Sequence, residues 1–303
     1  MGNTGGFVRH HATQCAFTTS DSWVILNPIE QSIKRKIEAV GVPLKEWDIK
    51  INFGIKTGCN EAFIIDEAKR AELIAQDPKS AEIIRPILRG RDIKRYGYNW
   101  AHLYVITCYF GIHKVLDKRY PAIYKHLLQF KDKLQARGQC RYTSSGKARD
   151  DADYPGQHHW LELDNNPTIE KLEDFSQPKI VWSRLMRLAK NDIQSFPRFA
   201  SVPEGIVTLD SLCFFIGKDI EYLLDALNSE YASYYFFGSV ATLDNGGFQM
   251  RQQYVENILI PPPGNSNLYE KFNFTDDEIS FIKNTVLKRK HEILKDLARN
   301  NQT

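Results

Sequence analysis

A mixed α+β domain with irregular connections is the fold this sequence predicts. Three observations point there. Short apolar runs with strand character occur at residues 103–110, 179–182 and 213–216. Between and after them lie segments whose apolar residues recur at helical spacing, at Ile123, Leu127 and Leu134 and again at Leu223, Leu224 and Leu227. The two kinds of segment do not alternate regularly, which sets the chain apart from a doubly wound parallel sheet. The expected architecture is a mixed sheet with an amphipathic helix pair and a C-terminal helix.

Taken in order, Asn27-Pro28 followed by Ile29, Ile33 and Ile37 gives a helix with one apolar stripe, ended by Gly41-Val42-Pro43. Residues 47–53 alternate as a strand does, Thr57-Gly58 with Asn60 supplies turn residues, and 62–65 resume the apolar run. Together these predict a β-hairpin or strand-turn-strand unit. Residues 66–76 turn helical, break at Asp77-Pro78, and lead through a short helix or loop to Arg85-Pro86. The strand at 103–110 is expected to be buried on both faces. Residues 120–137 read as one helix opened by Pro121, 138–159 as a long polar loop, and 220–237 as one strong helix. Ile258-Leu259-Ile260 closes on three prolines, and Thr275-Asp276-Asp277-Glu278 caps a last helix running to about Ala298, with Ile279, Ile282, Val286, Ile293 and Leu294 along one stripe. The expected division is 1–44 as a connector, 45–263 as the main domain and 264–303 as the C-terminal helix.

The composition is that of a globular chain with a real core, 42% hydrophobic and 25% charged. Five dispersed cysteines, with no Cys-x-x-Cys pair, argue against a disulfide framework and a zinc site and fit a reducing cytosol. No apolar run reaches ~18 residues, so no transmembrane helix is expected, and a cytoplasmic location follows as an expectation. The N-terminus lacks the features of a secretory signal and begins abruptly, as if partway through a larger protein.

Charge is unevenly placed. Residues 85–150 hold fifteen Lys or Arg against four Asp, a net +11, while the remainder sums to −8. A concentrated cationic block is what a polyphosphate partner requires, because each neutralised phosphate releases counterions. A solvated helical face is the competing explanation. Enzyme signatures are sparse. No Gly-x-Gly-x-x-Gly or Walker-type phosphate loop occurs, and Asn27-Pro28-Ile29 and Asn166-Pro167-Thr168 do not match the Asn/Asp-Pro-Pro-aromatic loop that holds a flipped base for amino methylation. A metal-dependent nuclease would need an acid followed by Glu-x-Lys. Glu67-Ala68-Lys69 with Asp48 is the one candidate, and it falls where helix capping explains it equally well. His158-His159 near Asp150, Asp151 and Asp153 is a weaker metal candidate. No catalytic, cofactor-binding or metal-ligating residue is assigned.

Two blocks carry a resemblance. The first runs Gly-Ile-Lys-Thr-Gly-Cys-Asn-Glu-Ala-Phe-Ile-Ile-Asp from Gly54, and the second Ile-Ile-Arg-Pro-Ile-Leu-Arg-Gly-Arg-Asp-Ile-Lys-Arg-Tyr from Ile83. Further agreement lies at Tyr120-Pro121-Ala122-Ile123, Gln177-Pro178-Lys179-Ile180, Leu227-Asn228-Ser229 and Ile258-Leu259-Ile260-Pro261. Over roughly residues 45–263 the chain resembles the TaqI-like C-terminal specificity domain of adenine-specific DNA methyltransferases and fused restriction-modification enzymes. The resemblance implies recognition of a double-stranded DNA target for a methyltransferase that modifies adenine at N6 with S-adenosylmethionine bound elsewhere, in the catalytic domain that these 303 residues lack. Residues 1–44 then look like the tail of that domain. Half of a type I restriction specificity subunit, a metal-dependent nuclease, and a protein-interaction scaffold of a defence complex remain alternatives.

Within the two blocks, Lys56, Thr57 and Asn60 put small polar and cationic groups at a tip suited to a phosphate or groove approach, with an ordinary hairpin turn as the alternative. Arg89, Arg91, Lys94 and Arg95 crowd around Gly90, and Arg can fork onto guanine or clamp phosphate. Asp92 can accept from cytosine or form an ion pair that shapes the loop. Arg141, Thr143, Ser144, Lys147 and Arg149 make a second expected reading element. Arg184 after Ser183, and Gln249 and Arg251 after Asn245-Gly246-Gly247, are candidates of the same kind.

Overall fold

Most of the apolar runs of this chain pair across long sequence separations. The computed structural model describes residues 26–138, 140, 158–165, 167–189, 192–243 and 246–299. Helix α1 (Pro28–Val40) is followed by β1 (Val42–Pro43), β2 (Ile49–Phe53), α2 (Asn60–Phe63), β3 (Ile64–Asp66) and α3 (Glu67–Gln76). Then come β4 (Ile84–Leu88), β5 (Leu103–Ile106), α4 (Leu116–Arg119), α5 (Pro121–Leu128), α6 (Lys131–Gln135) and α7 (Ile169–Glu173). Next are β6 (Lys179–Ser183), β7 (Leu185–Arg187), β8 (Phe199–Val202), β9 (Val207–Thr208) and β10 (Leu212–Gly217). The chain closes with α8 (Ile220–Leu227), α9 (Glu230–Ser239), β11 (Gly247–Gln249), α10 (Gln252–Val255), β12 (Leu259–Ile260), α11 (Leu268–Lys271) and α12 (Asp276–Arg299).

Two four-stranded sheets organise the fold, in the orders β2-β10-β6-β8 and β3-β5-β4-β9. All pairings are antiparallel except β4 with β9. The central strands of the first sheet, β6 and β10, are buried on both faces, and their alternation shows how. Val181, Leu212 and Phe214 enter one core with Ile87, Val105 and Leu127. Ile180, Trp182, Cys213 and Phe215 enter a second core with Leu223, Phe236 and Ile282. A period-two side-chain pattern with apolar residues on both faces makes a continuous hydrophobic run, which is why 213–216 reads so plainly as a strand.

Helix ends are set by the residues that cap them. The Asn27 side chain accepts from the Glu30 N–H, Glu30 accepts in return from the Asn27 N–H, and Pro28 occupies the first turn. Glu278 closes the start of α12 by accepting from the Thr275 N–H, and the same carboxylate receives Ser32 and Lys36 of α1 at 2.7 Å each. The terminal helix lies against α9 and α1, with Ile282, Val286 and Ile293 buried. None of the helices among the described residues is long and apolar enough to cross a membrane.

Four expectations are corrected. Residues 47–66 form no hairpin: β2 pairs with β10, β3 pairs with β5, and α2 occupies the stretch between them. The short helix or loop expected up to Arg85-Pro86 holds only as far as a 3-10 helix at Pro78–Glu82; from Ile84 the chain is strand, with β9 joining only from Ile87, past Pro86, which has no N–H to give. The strand at 103–110 stops at Ile106, and Phe110 is 38% exposed. The single helices at 120–137 and 220–237 are each two. Ser229 caps α9 by accepting from the Ala232 N–H, while the Asn228 side chain mimics a strand edge by bonding both the N–H and the carbonyl of Phe199.

Candidate nucleic-acid interface

The register of the two sheets brings several chain segments to one edge. As β2 ends, the Gly54 N–H donates to the Leu212 carbonyl at 3.0 Å and Ile55 to Thr208 at 2.8 Å. Asp210 donates back to Ile55, Leu209 to Leu88 at the end of β4, and Arg184 to Ser211. A Cβ on Gly54 would stand 2.1 Å from the Leu209 carbonyl oxygen, so no side chain fits there. The loop after β4 lies against the same edge, because a Cβ on Gly90 would meet Ser183 Oγ at 3.2 Å and Ser211 Oγ at 3.5 Å. The segments 54–56, 89–92, 183–184 and 208–211 thus meet where the sheets end.

The arginine-rich loop is divided in its use of charge. Asp92 is 4% exposed, and its carboxylate accepts from the Arg89 N–H at 2.8 Å, Nε at 3.0 Å and Nη2 at 2.9 Å. This pair shapes the loop; with both oxygens engaged and buried, Asp92 is not presented for contact with a base. Arg95 turns inward, donating to the Asn228 carbonyl and, at 3.4 Å, to Gln194 Oε1. Arg91 and Lys94 are exposed, and among the described residues neither side chain has a hydrogen-bond or ion-pair partner.

The Lys56–Asn60 turn is pinned from below. Thr57 is 3% exposed and donates from Oγ1 to Asn60 Oδ1 at 2.5 Å. Arg137 donates to the Thr57, Trp160 and Glu162 carbonyls at 2.8 Å each. Lys56 Nζ reaches Asp164 Oδ2 at 2.7 Å, and His158 Nε2 lies 3.1 Å from Asp164 Oδ1. The hydrogen bond from Lys56 to Asp164 raises the Lys56 pKa and keeps the ammonium charged. Burial, with the Arg137 cation second, lowers the His158 pKa and keeps its ring neutral. Asn60 and Lys56 face solvent, and Thr57 serves the turn itself. Arg141, Thr143, Ser144, Lys147 and Arg149 lie outside the described residues, and the flanks of that segment are joined by a bridge between Cys140 and His158 beside this turn.

Arg184 is exposed and donates from Nη1 to the Asp210 carbonyl at 3.0 Å. Two crevices of about 590 and 380 Å³ open beside it, and both are lined by Arg184 and Arg251. Ser183, Ser211 and Gln249 line the smaller one. Sequence reasoning overlooked Asp210, Ser211, Leu185 and Arg187. No local signal marked the last two: Arg184-Leu185-Met186-Arg187 sets two apolar residues side by side, and only the fold exposes Leu185 while burying Met186. The would-be nuclease residues are otherwise engaged: Asp48 pairs with Lys218 at 2.6 Å, Glu67 with Arg70 at 2.8 Å and with Tyr104, and Lys69 with Glu72. Among the described residues no group of three or more His, Cys, Asp or Glu is placed to hold a metal ion.

The family described as the TaqI-like C-terminal specificity domain matches residues 85–260. A type II methyltransferase of Methanocaldococcus jannaschii, M.MjaIV, is 24% identical over 246 residues, which is 78% of this chain and 69% of that protein. The type IIG restriction endonuclease BpuSI aligns with a TM-score of 0.48 and 15% identity, over 89% of this chain and 32% of its own. The type IIL restriction-modification enzyme MmeI, solved with DNA, aligns with a TM-score of 0.49 and 11% identity, over 84% of this chain and 33% of its own. The chain therefore spans about a third of the length of these two solved enzymes.

Proposed function

Because the chain belongs to the family of TaqI-like C-terminal specificity domains, we propose that it recognises a specific sequence in double-stranded DNA on behalf of a methyltransferase that modifies adenine at N6. The observation that carries this reading is the gathering of Arg184, Ser211 and Arg251 with Gly90, next in sequence to the exposed Arg91, at the common edge of the two sheets. Exposed guanidinium groups at strand ends suit two tasks: neutralising phosphates and forking onto the guanine edge. Lys94 and Lys56 extend the cationic edge, and the rest of the +11 segment adds sequence-independent attraction.

In this reading the methyl donor S-adenosylmethionine is held by the methyltransferase domain, with the cytoplasm as the place of action. The Asn-Pro pair at Asn27-Pro28 is committed to the capping of α1 and does not suit a base-holding loop. Co-expression of the chain with the methyltransferase domain it serves, followed by mapping of modified bases in host DNA, tests the assignment. N6-methyladenine at one recurrent sequence is expected. Modification confined to cytosine contradicts the adenine reading.

A further inference from the structure

Strands β7 and β11 form a two-stranded antiparallel ribbon separate from both large sheets, with Arg187 opposite Gly247, Met186 opposite Phe248 and Leu185 opposite Gln249. Its side chains alternate. Met186 and Phe248 are buried, whereas Leu185 and Arg187 are exposed and Gln249 is half-buried; the alternation continues just past β11, with Met250 buried and Arg251, which leads into α10, exposed. The backbone beneath the outward residues is held firmly. Trp182 Nε1 donates to the Met250 carbonyl at 2.8 Å, Ser183 Oγ to the Leu185 carbonyl at 2.8 Å, and Arg198 Nη1 to the Arg187 carbonyl at 2.7 Å. The Phe248 ring packs 4.5 Å from Phe196 and 5.4 Å from Phe237.

What the ribbon presents is chemically specific. Among the described residues the side chains of Arg187, Gln249 and Arg251 have no hydrogen-bond or ion-pair partner. Leu185, 42% exposed, is an apolar side chain set among them. A two-stranded ribbon fits the B-DNA major groove, which is about 12 Å wide. Same-face residues two apart along a strand are separated by roughly 6.6 Å, close to two base-pair steps of about 3.4 Å.

We propose that the β7–β11 ribbon is the base-reading element and enters the major groove of the target. Arg251 forks onto guanine O6 and N7, Gln249 pairs with adenine N6 and N7, and Leu185 covers a thymine methyl group. Arg187 contacts a flanking guanine. The basic loop at Arg91 and Lys94 grips phosphate and specifies no base. This assignment rests on the DNA-recognition reading above, with which it shares Arg91 and Arg251.

The test is selection of bound duplexes from a randomised library by the 303-residue chain and its variants, with salt titration on the enriched duplex. The unaltered chain is expected to enrich a motif containing guanine. Arg251→Ala and Arg251→Lys should each lose the preference for one guanine by about tenfold or more, since the lysine keeps the charge but not the fork. Arg91→Ala should bind all sequences more weakly, keep the motif, and lower the log-log salt slope by about 1. An unchanged motif in Arg251→Lys, or a motif without guanine, overturns the ribbon assignment while leaving DNA recognition standing. Failure of the unaltered chain to bind any duplex overturns both.

Discussion

Two arginine-bearing segments meet at the sheet edge and use their charges in opposite ways. In the loop 89–95, Arg89 is bound to Asp92 and Arg95 to the Asn228 carbonyl, so half of its four cations are committed to shaping the protein. In the ribbon and just past its end, Arg187 and Arg251 are carried on a backbone anchored by buried neighbours, and their side chains are exposed. The first segment has the higher density of charge in sequence, and the second has the greater share available. Charge density marks a region for phosphate; rigid presentation of unpaired donors is what sequence reading demands.

The comparison can be broken at its base by Trp182→Ala. Trp182 is fully buried and holds the Met250 carbonyl, so its loss is expected to cost about 3–5 kcal/mol in denaturant unfolding and to erase sequence preference. Unfolding free energy unchanged to within 1 kcal/mol would deny that the ribbon is anchored as described.

Glu278→Gln, at the α1–α12 joint, separates stability from reading. Burial alone would raise the pKa of this carboxyl, but hydrogen bonds from Lys36, Ser32 and the Thr275 N–H outweigh it and hold the value at about 2. A folded pKa below the ordinary 4.5 means a contribution present above pH 4.5 and lost as pH falls toward 2. The variant should lose about 2 kcal/mol at neutral pH, unfold with a flatter acid limb, and keep its DNA motif. An acid limb identical to that of the unaltered chain contradicts the role of Glu278.

Asp92→Asn addresses the loop. Arg89 would lose its charged partner, and a cost of about 1–2 kcal/mol is expected, together with weaker binding and an intact motif. A switch in preferred base would place Asp92 among the readers after all. The smallest effect belongs to Lys94→Ala, for which melting should shift by less than about 0.5 kcal/mol in stability terms while affinity drops a few-fold at low salt.

Much of the scaffold was legible in the sequence because its signals are local. The Asn27-Pro28 start of α1, the Thr275–Glu278 start of α12 and the unbroken apolar run of β10 each declare themselves within a few residues. The breaks inside 120–137 and 220–237 were harder to see, since both halves keep an apolar stripe; the Asn228-Ser229 cap signal was present and outweighed by it. Strand partners were not legible. Alternation shows that 49–53 is a strand but says nothing of β10 as its neighbour. The same limit applies to the site. The Arg89–Asp92 pair lies three residues apart and could be read directly, whereas the approach of Arg251 to Arg184 depends on the β7–β11 pairing, which only the fold supplies.

The most direct test of the central claim is the salt dependence of duplex binding by the intact chain. With several phosphates neutralised along the sheet edge, log Kobs should fall linearly with log salt at about −0.9 per contact, giving a slope of roughly −4 to −6. A response flat in salt would contradict recognition of DNA by this domain.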